Sequence, residues 1–441
     1  MEFFALSASL VASLGFLGVS ASQAFEEPKI EPAKFAILDL DGCEKVGNCF
    51  YQNASNPYGR TVILDGRTLL LNPDPGLGPL DQFFGAFLLD PNQALVVIGP
   101  APNSRYWSGI IYLFRDGRRP TALELANDNT LTEKGAISFS SLSQGFSNFQ
   151  YPGVEKIAII ISRNQNVYAR EKNRIERAFP GTTPIPLWVP QQAPLGAPLS
   201  FVFRTALFPE GEINNFISTD GGYISYRSTY KNIGFSPTRY VLPGTDPNSL
   251  PVGILPIIPQ IAPLEPSELP LSERYNQYIA LTLKNYEVVR EIPANPAFLN
   301  LERADFFLTS GYDCISRGYS CQADNPQAAY ISTQRFSIVE GEAVLITAVN
   351  HNLTQRAFYS NVVIYDDDLK FGIDAQLADS KNLFYNHLWT YEAGIYRIIE
   401  RAYVALPQTT VGPDARTLLL VKIFIVKSSK PPQRSLKAIS L

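Results

Sequence analysis

Histidine, cysteine and charge are all scarce in this 441-residue chain, which has two histidines, four cysteines, one methionine and only 18% charged residues. Two histidines leave little room for imidazole-based acid–base chemistry or for most transition-metal centres, which need several nitrogen or sulfur donors gathered in one place. Basic residues are in no excess, 37 Lys and Arg against 41 Asp and Glu. That balance excludes a strongly basic nucleic-acid binder, whose affinity rests on displaced counterions. Charge this low, beside 34 prolines, 22 tyrosines and 27 phenylalanines, also excludes a coiled coil and a disordered chain. Beyond residue 24 no run reaches the roughly 18 apolar residues that a membrane-spanning helix needs. What remains is long enough for about two or three domains with substantial cores.

The opening stretch, MEFFALSASLVASLGFLGVSASQA, is apolar from Phe3 to Val19 and ends in the small residues around Ser22 and Ala24. That is the layout of a secretory signal peptide over 1–24, cleaved after Ala24, with an uncleaved anchor as the alternative. The cysteines agree with export. Cys43 and Cys49 frame C-x5-C, and Cys314 and Cys321 frame C-x6-C, so each pair is able to close a short local loop. An even count at these spacings reads as two disulfide bonds in an oxidising compartment, since zinc sites favour tighter pairs and more ligands. Asn53 and Asn352 begin the sequons Asn-Ala-Ser and Asn-Leu-Thr, the acceptors expected of a glycoprotein. The expected location is therefore secreted or cell surface.

Along the chain, residues 25–34 (FEEPKIEPAK) form a polar leader that need not fold, and the region 25–120 is strand-rich. Asp65-Gly66 between VIL and RTLLL predicts a hairpin turn, because glycine supplies the positive φ that such a turn requires. Residues 121–236 change character. KIAIIIS at 156–162 is a β-branched run of strand length, NQNVYAREKNRIERAF carries Tyr168, Ile175 and Phe179 at helical spacing, and PIPLWVP is extended. Together they predict a βαβ unit. LSFVFRTALF followed by PEGEINNFIST repeats strand then helix. Residues 237–270 carry a proline every few positions and predict an extended linker or strap. The segment 271–441 predicts an amphipathic helix over 272–292 followed by a C-terminal β domain, with runs such as AVLITAVN, AFYSNVVIYD and GIYRIIERAYVAL. The fold class expected is α+β and β-dominated, ending in an antiparallel sandwich or jelly-roll-like module.

Several constellations bear on chemistry. FAILDLDGC ends an apolar strand in Asp39-x-Asp41-Gly42, which resembles the first motif of haloacid dehalogenase-like phosphatases. The resemblance implies Asp39 as nucleophile and Asp41 as general acid, with Mg²⁺ held by carboxylates. Asp366, Asp367 and Asp368 would then stand where that family places its downstream metal-binding acids. The same triplet is a candidate Ca²⁺ site in its own right, since hard cations want several oxygens from one loop; a solvated turn is the plainer reading. His351 closes a strand-like run and His387 lies among aromatics, yet no G-x-S-x-G elbow seats a nucleophile for either. Tyr385, His387, Trp389 and Tyr391 alternate along YNHLWTY, which fits either a platform for a sugar or a protein partner or one side of a packed sheet.

The function expected is a secreted or cell-surface, non-catalytic protein that binds a carbohydrate or an extracellular protein through Tyr385 to Tyr391. The alternative is a secreted hydrolase, phosphatase-like through Asp39 and Asp41 or using an acid–base site around His351. No nucleic-acid partner and no membrane span after signal cleavage are expected, and Ca²⁺ is the candidate cofactor apart from the Mg²⁺ that the phosphatase resemblance implies.

Overall fold

The computed structural model describes residues 27–37, 52–53, 57–63, 87–114, 139–140, 145–148, 151–189, 193, 195–196, 199–209, 211–237, 268–296, 328–354, 357–366, 371–377, 381–404 and 421–428. In chain order the first elements are β1 (Lys29–Ile37), β2 (Gln52–Asn53), β3 (Tyr58–Ile63), β4 (Gln93–Pro100), β5 (Tyr106–Phe114), β6 (Phe139–Ser140) and β7 (Gly145–Ser147). They are followed by β8 (Lys156–Ser162), α1 (Gln165–Ala178), β9 (Thr183–Trp188), β10 (Leu199–Ala206), α2 (Glu212–Ser218) and β11 (Ile224–Thr229). The remainder comprises α3 (Glu268–Leu283), β12 (Val288–Ile292), β13 (Ala294–Pro296), β14 (Ala328–Thr333), β15 (Phe336–Ile338), β16 (Glu342–Val349) and β17 (Ala357–Asp366). It ends with β18 (Phe371–Leu377), β19 (Phe384–Trp389), β20 (Gly394–Val404) and β21 (Val421–Lys427). The fold is strand-dominated, its pairings almost all antiparallel. Two units divide it, one of residues 1–38 and 58–254 and one of residues 39–57 and 255–441.

In the first unit one sheet runs β6–β5–β10–β3–β1–β11–β4–β8–β9, with β7 also paired to β5. It crosses residue 120, because β10 and β11 pair with strands drawn from the first 114 residues. The βαβ reading of 156–188 is what the chain forms: β8 and β9 are parallel, and α1 connects them. β8 is buried on both faces, with Ile157 to Ile161 fully enclosed, which is why its sequence is an unbroken apolar run rather than an alternating one. The α1 start is capped by Asn164, whose Oδ1 accepts from the backbone N–H of Asn166 at 3.0 Å. Val167 and Ile175 on its inner stripe pack with Ala94, Val96, Ala158 and Ile160. β9 ends the sheet order, and Pro184 and Pro186 share one phase of that strand. The missing donors therefore fall on the side away from β8, which blunts the edge.

The polar leader does fold, contrary to the sequence expectation. Lys29 to Ala33 pair with β11, and Ala33 to Ile37 pair with β3. Among the described residues that half of β1 has a partner on one side only, which accommodates Pro32. The leader's charges are used across the ladder: Glu31 Oε1 accepts from Lys29 Nζ at 2.8 Å, and its Oε2 accepts from Arg227 Nε at 2.8 Å.

In the second unit a four-stranded sheet runs β12–β21–β16–β19 and a seven-stranded one runs β13–β14–β20–β17–β18–β2, with β15 paired to β20. One hydrophobic cluster joins the two sheets, including Val344, Ile346, Val362, Ile364, Trp389 and Ile398. The opposite phase of β16, Ala343, Leu345 and Val349, packs against Tyr275 and Ile279 of α3. Covered on both faces, β16 needs the continuous apolar run that its sequence carries. The helix expected over 272–292 occupies Glu268–Leu283 instead, and 288–292 is strand. Helical spacing of Tyr275, Ile279 and Leu283 stops there because Val288 to Ile292 find a ladder on β21.

Candidate binding face

The sequence-derived site residues that are described lie on separate elements. Asp39, Asp41, Asp367, Asp368, Cys43, Cys49, Cys314 and Cys321 lie outside the described residues, as does the signal segment 1–24. Asp366 ends β17, almost wholly buried, paired across to Tyr396 and Phe371. Among the described residues no group of three or more His, Cys, Asp or Glu gathers to hold a metal. Asn53 sits in the two-residue strand β2, opposite Gly372.

His351 follows β16 in a tight turn, where Leu353 N–H donates to Asn350 O at 3.1 Å and Thr354 Oγ1 donates to His351 O at 3.0 Å. Asn352 of the second sequon is half-buried there, its N–H donating to Asn350 Oδ1 at 3.1 Å. Burial pushes the His351 imidazole down to about 4. It is neutral across the physiological range, a poor match for a general base that must exchange its proton near the operating pH.

Tyr385, His387 and Trp389 occupy one phase of β19, opposite Ala348, Ile346 and Val344 of β16. That phase faces the cluster between the sheets. Trp389 is fully enclosed, Tyr385 and Tyr391 are buried, and His387 is half-buried with its ring 5.4 Å from that of Trp389 at 70°. Tyr391 packs on Tyr396 with ring centroids 5.9 Å apart. The alternating aromatics are therefore core residues, and their faces are not turned to solvent. The other phase of β19, Phe384 and Leu388, is covered by α3.

A different surface collects at the end of this unit where β12 starts, β21 ends and β15 turns into β16. The turn Val339 to Glu342 closes by Glu342 N–H donating to Val339 O at 3.0 Å, with Gly341 at φ 81°, a conformation that suits glycine. Arg290 ties β12 to it, its Nη1 lying 3.1 Å from Glu342 Oε1 and its Nη2 donating to Ser337 O. Lys427 N–H donates to Glu287 O at 2.9 Å, Ser428 N–H donates to Gly341 O at 2.8 Å, and the Lys427 and Glu287 side chains pair. The same end of the unit carries four exposed aliphatic side chains: Val339 at 54%, Ile395 at 52%, Val289 at 44% and Val288 at 42%. Ile395 lies across the ladder from Ser337. The register slips between Val288 and Arg290, placing one extra residue in β12, and such a bulge re-aims neighbouring side chains. β-Branched residues in sequence give no sign of this exposure, which depends on the bulge and the turn at this end of the unit.

No protein family matches the chain, and no curated protein does. Among solved structures, an uncharacterised protein from Burkholderia cenocepacia is similar at 11% identity and a TM-score of 0.37, over 86% of this chain and 78% of that one. The N-terminal CBM22-1–CBM22-2 tandem domain of Paenibacillus barcinonensis Xyn10C aligns at 7% identity and a TM-score of 0.14, over 93% of this chain and 100% of that one. Likeness at these scores leaves the function to be argued from the chain's own residues.

Proposed function

We propose that the chain is a secreted or cell-surface, non-catalytic protein whose second unit, a sandwich-like module, binds another protein through the valine-rich end around Val339 and Ile395. The observation that carries this reading is the set of four exposed aliphatic side chains at the end of the unit that also carries charges of both signs, Arg290 and Lys427 with Glu287 and Glu342. Apolar centres with polar rims are the usual make-up of protein-binding surfaces. Sugar rings stack best on exposed aromatic faces, and this patch is aliphatic, which favours a protein over a carbohydrate. The neutral, enclosed His351 weighs against the acid–base alternative.

The test is site-directed photocrosslinking of the full secreted chain, with the photoreactive residue at position 395 and, as a control, at the exposed Lys284. A discrete protein adduct at 395 that disappears with Val339→Asp and never forms at 284 is the expected result. Equal labelling at both positions, or glycan-array binding with no protein adduct, would overturn it.

A further inference from the structure

Strand β20 is interior to the seven-stranded sheet, paired with β14 on one side and β17 on the other. Its inward phase runs Tyr396, Ile398, then Glu400, because side chains alternate along a strand and the first two belong to the cluster between the sheets. Glu400 lies opposite Val362 of β17, another member of that cluster, and is 1% exposed. Among the described residues, neither of its carboxyl oxygens has a hydrogen-bond partner. Ser360, one position along on the same face of β17, is equally buried, and its hydroxyl also lacks a partner among the described residues.

The elements packed around Glu400 offer it no fixed cation among the described residues. β17 presents Ser360, Val362 and Ile364. Across the core, β16 presents Ile346 and Ala348, and β21 presents Val421 and Ile423. Titratable groups facing this space are His387 and Tyr385 on β19, and Tyr275 of α3 lies within electrostatic range of the carboxyl. Arg397 and Arg401 stand on the opposite phase of β20, Arg401 with its guanidinium 5.3 Å from the Tyr365 ring. A bare carboxylate enclosed without donors is strongly disfavoured. Burial accordingly pushes the Glu400 acid up to about 8.

We propose that Glu400 is a proton-operated latch of the second unit: as a neutral acid it lets the two sheets close over it, and on losing its proton to solvent it opens the β17–β20 region to water. Only one O–H bond breaks, the proton passing to water or buffer. The device makes the unit tightest in acidic surroundings and progressively looser as pH rises through neutrality, with no further loosening above about pH 8.

Hydrogen exchange of the full chain between pH 6 and pH 10, corrected for intrinsic exchange, tests this, with β8 of the first unit as internal reference. In the wild type, protection of β17 and β20 should fall roughly tenfold per pH unit from the ordinary 4.5 of the water-exposed acid up to about 8, and level off above that. Glu400→Gln and Glu400→Met should remove that fall while β8 stays unchanged throughout. Parallel profiles for the wild type and Glu400→Gln would overturn the proposal. So would a Glu400 carboxyl carbon resonance that titrates at the ordinary value of 4.5 with protection unchanged, a measurement that depends on no variant folding.

Discussion

Arg174→Met is the perturbation whose cost follows most directly from this structure. Glu171 is fully enclosed under α1 and Arg174 nearly so, and the two meet through a two-pronged contact, Nε to Oε2 at 2.9 Å and Nη2 to Oε1 at 2.7 Å. The guanidinium also lies 4.9 Å from the centroid of the Tyr226 ring. Burial alone disfavours the Arg174 charge, and the Glu171 carboxylate more than reverses that, so Arg174 is held charged. Removing the arginine leaves an enclosed carboxylate with no counter-charge, a loss of about 3–5 kcal/mol. Replacing both partners, Glu171→Leu with Arg174→Met, should return the protein to about its original stability or above it, since a well-packed apolar pair avoids desolvating two charges. Lys172 and Glu176 on the outer face of the same helix are 3.7 Å apart and roughly half exposed, so Lys172→Ala should cost only about 0.3–0.5 kcal/mol. Urea unfolding followed by the fluorescence of Trp107 and Trp188, both in the first unit, reads these differences, and Trp188 packs on Tyr168 of α1 at 4.8 Å; Trp389→Phe in every variant removes the signal of the second unit. A single-mutant loss below about 1 kcal/mol, the size expected of an exposed pair, would refute the burial argument.

Tyr275→Phe should destabilise the second unit by about 1–3 kcal/mol, measured by denaturant titration, because the phenol donates to Thr347 O at 2.6 Å inside the core. His351 sets a pH dependence of opposite sense to Glu400. Its folded value of about 4 lies below the ordinary 6.5, so the stability from keeping it neutral is complete above pH 6.5 and falls away as pH drops toward 4, by about 3 kcal/mol in all. His351→Gln should flatten that limb of the stability profile. Gly59→Ala should disrupt the β1–β3 pairing, since a Cβ there would meet the Phe35 ring at 2.1 Å. Its thermal midpoint should fall by several degrees at least, and an unchanged midpoint would contradict the packing.

What was legible in the sequence is what local pattern dictates. The run 156–162, the helical stripe with Tyr168 and Ile175, and the extended 183–188 specify a strand, helix and parallel strand because each carries its own periodicity and the connection is of crossover length. The apolar run of β16 declares a strand buried on both faces. Low charge and scarce histidine bound the chemistry from composition alone. Period two also places Tyr385, His387 and Trp389 on one side of a strand. Whether that side meets water or a second sheet is a matter of what packs against it, and only the tertiary structure turned it inward. The same limit hid β1, whose charges and Pro32 look like a leader until β11 supplies Arg227 for Glu31. It hid the exposed end at Val339 and Ile395, whose exposure no sequence pattern announces. It also hid Glu400, ordinary in a sequence and exceptional in a core. Local pattern determines which side chains share a face. Long-range packing decides which faces are dry, and with that the charge each buried group carries.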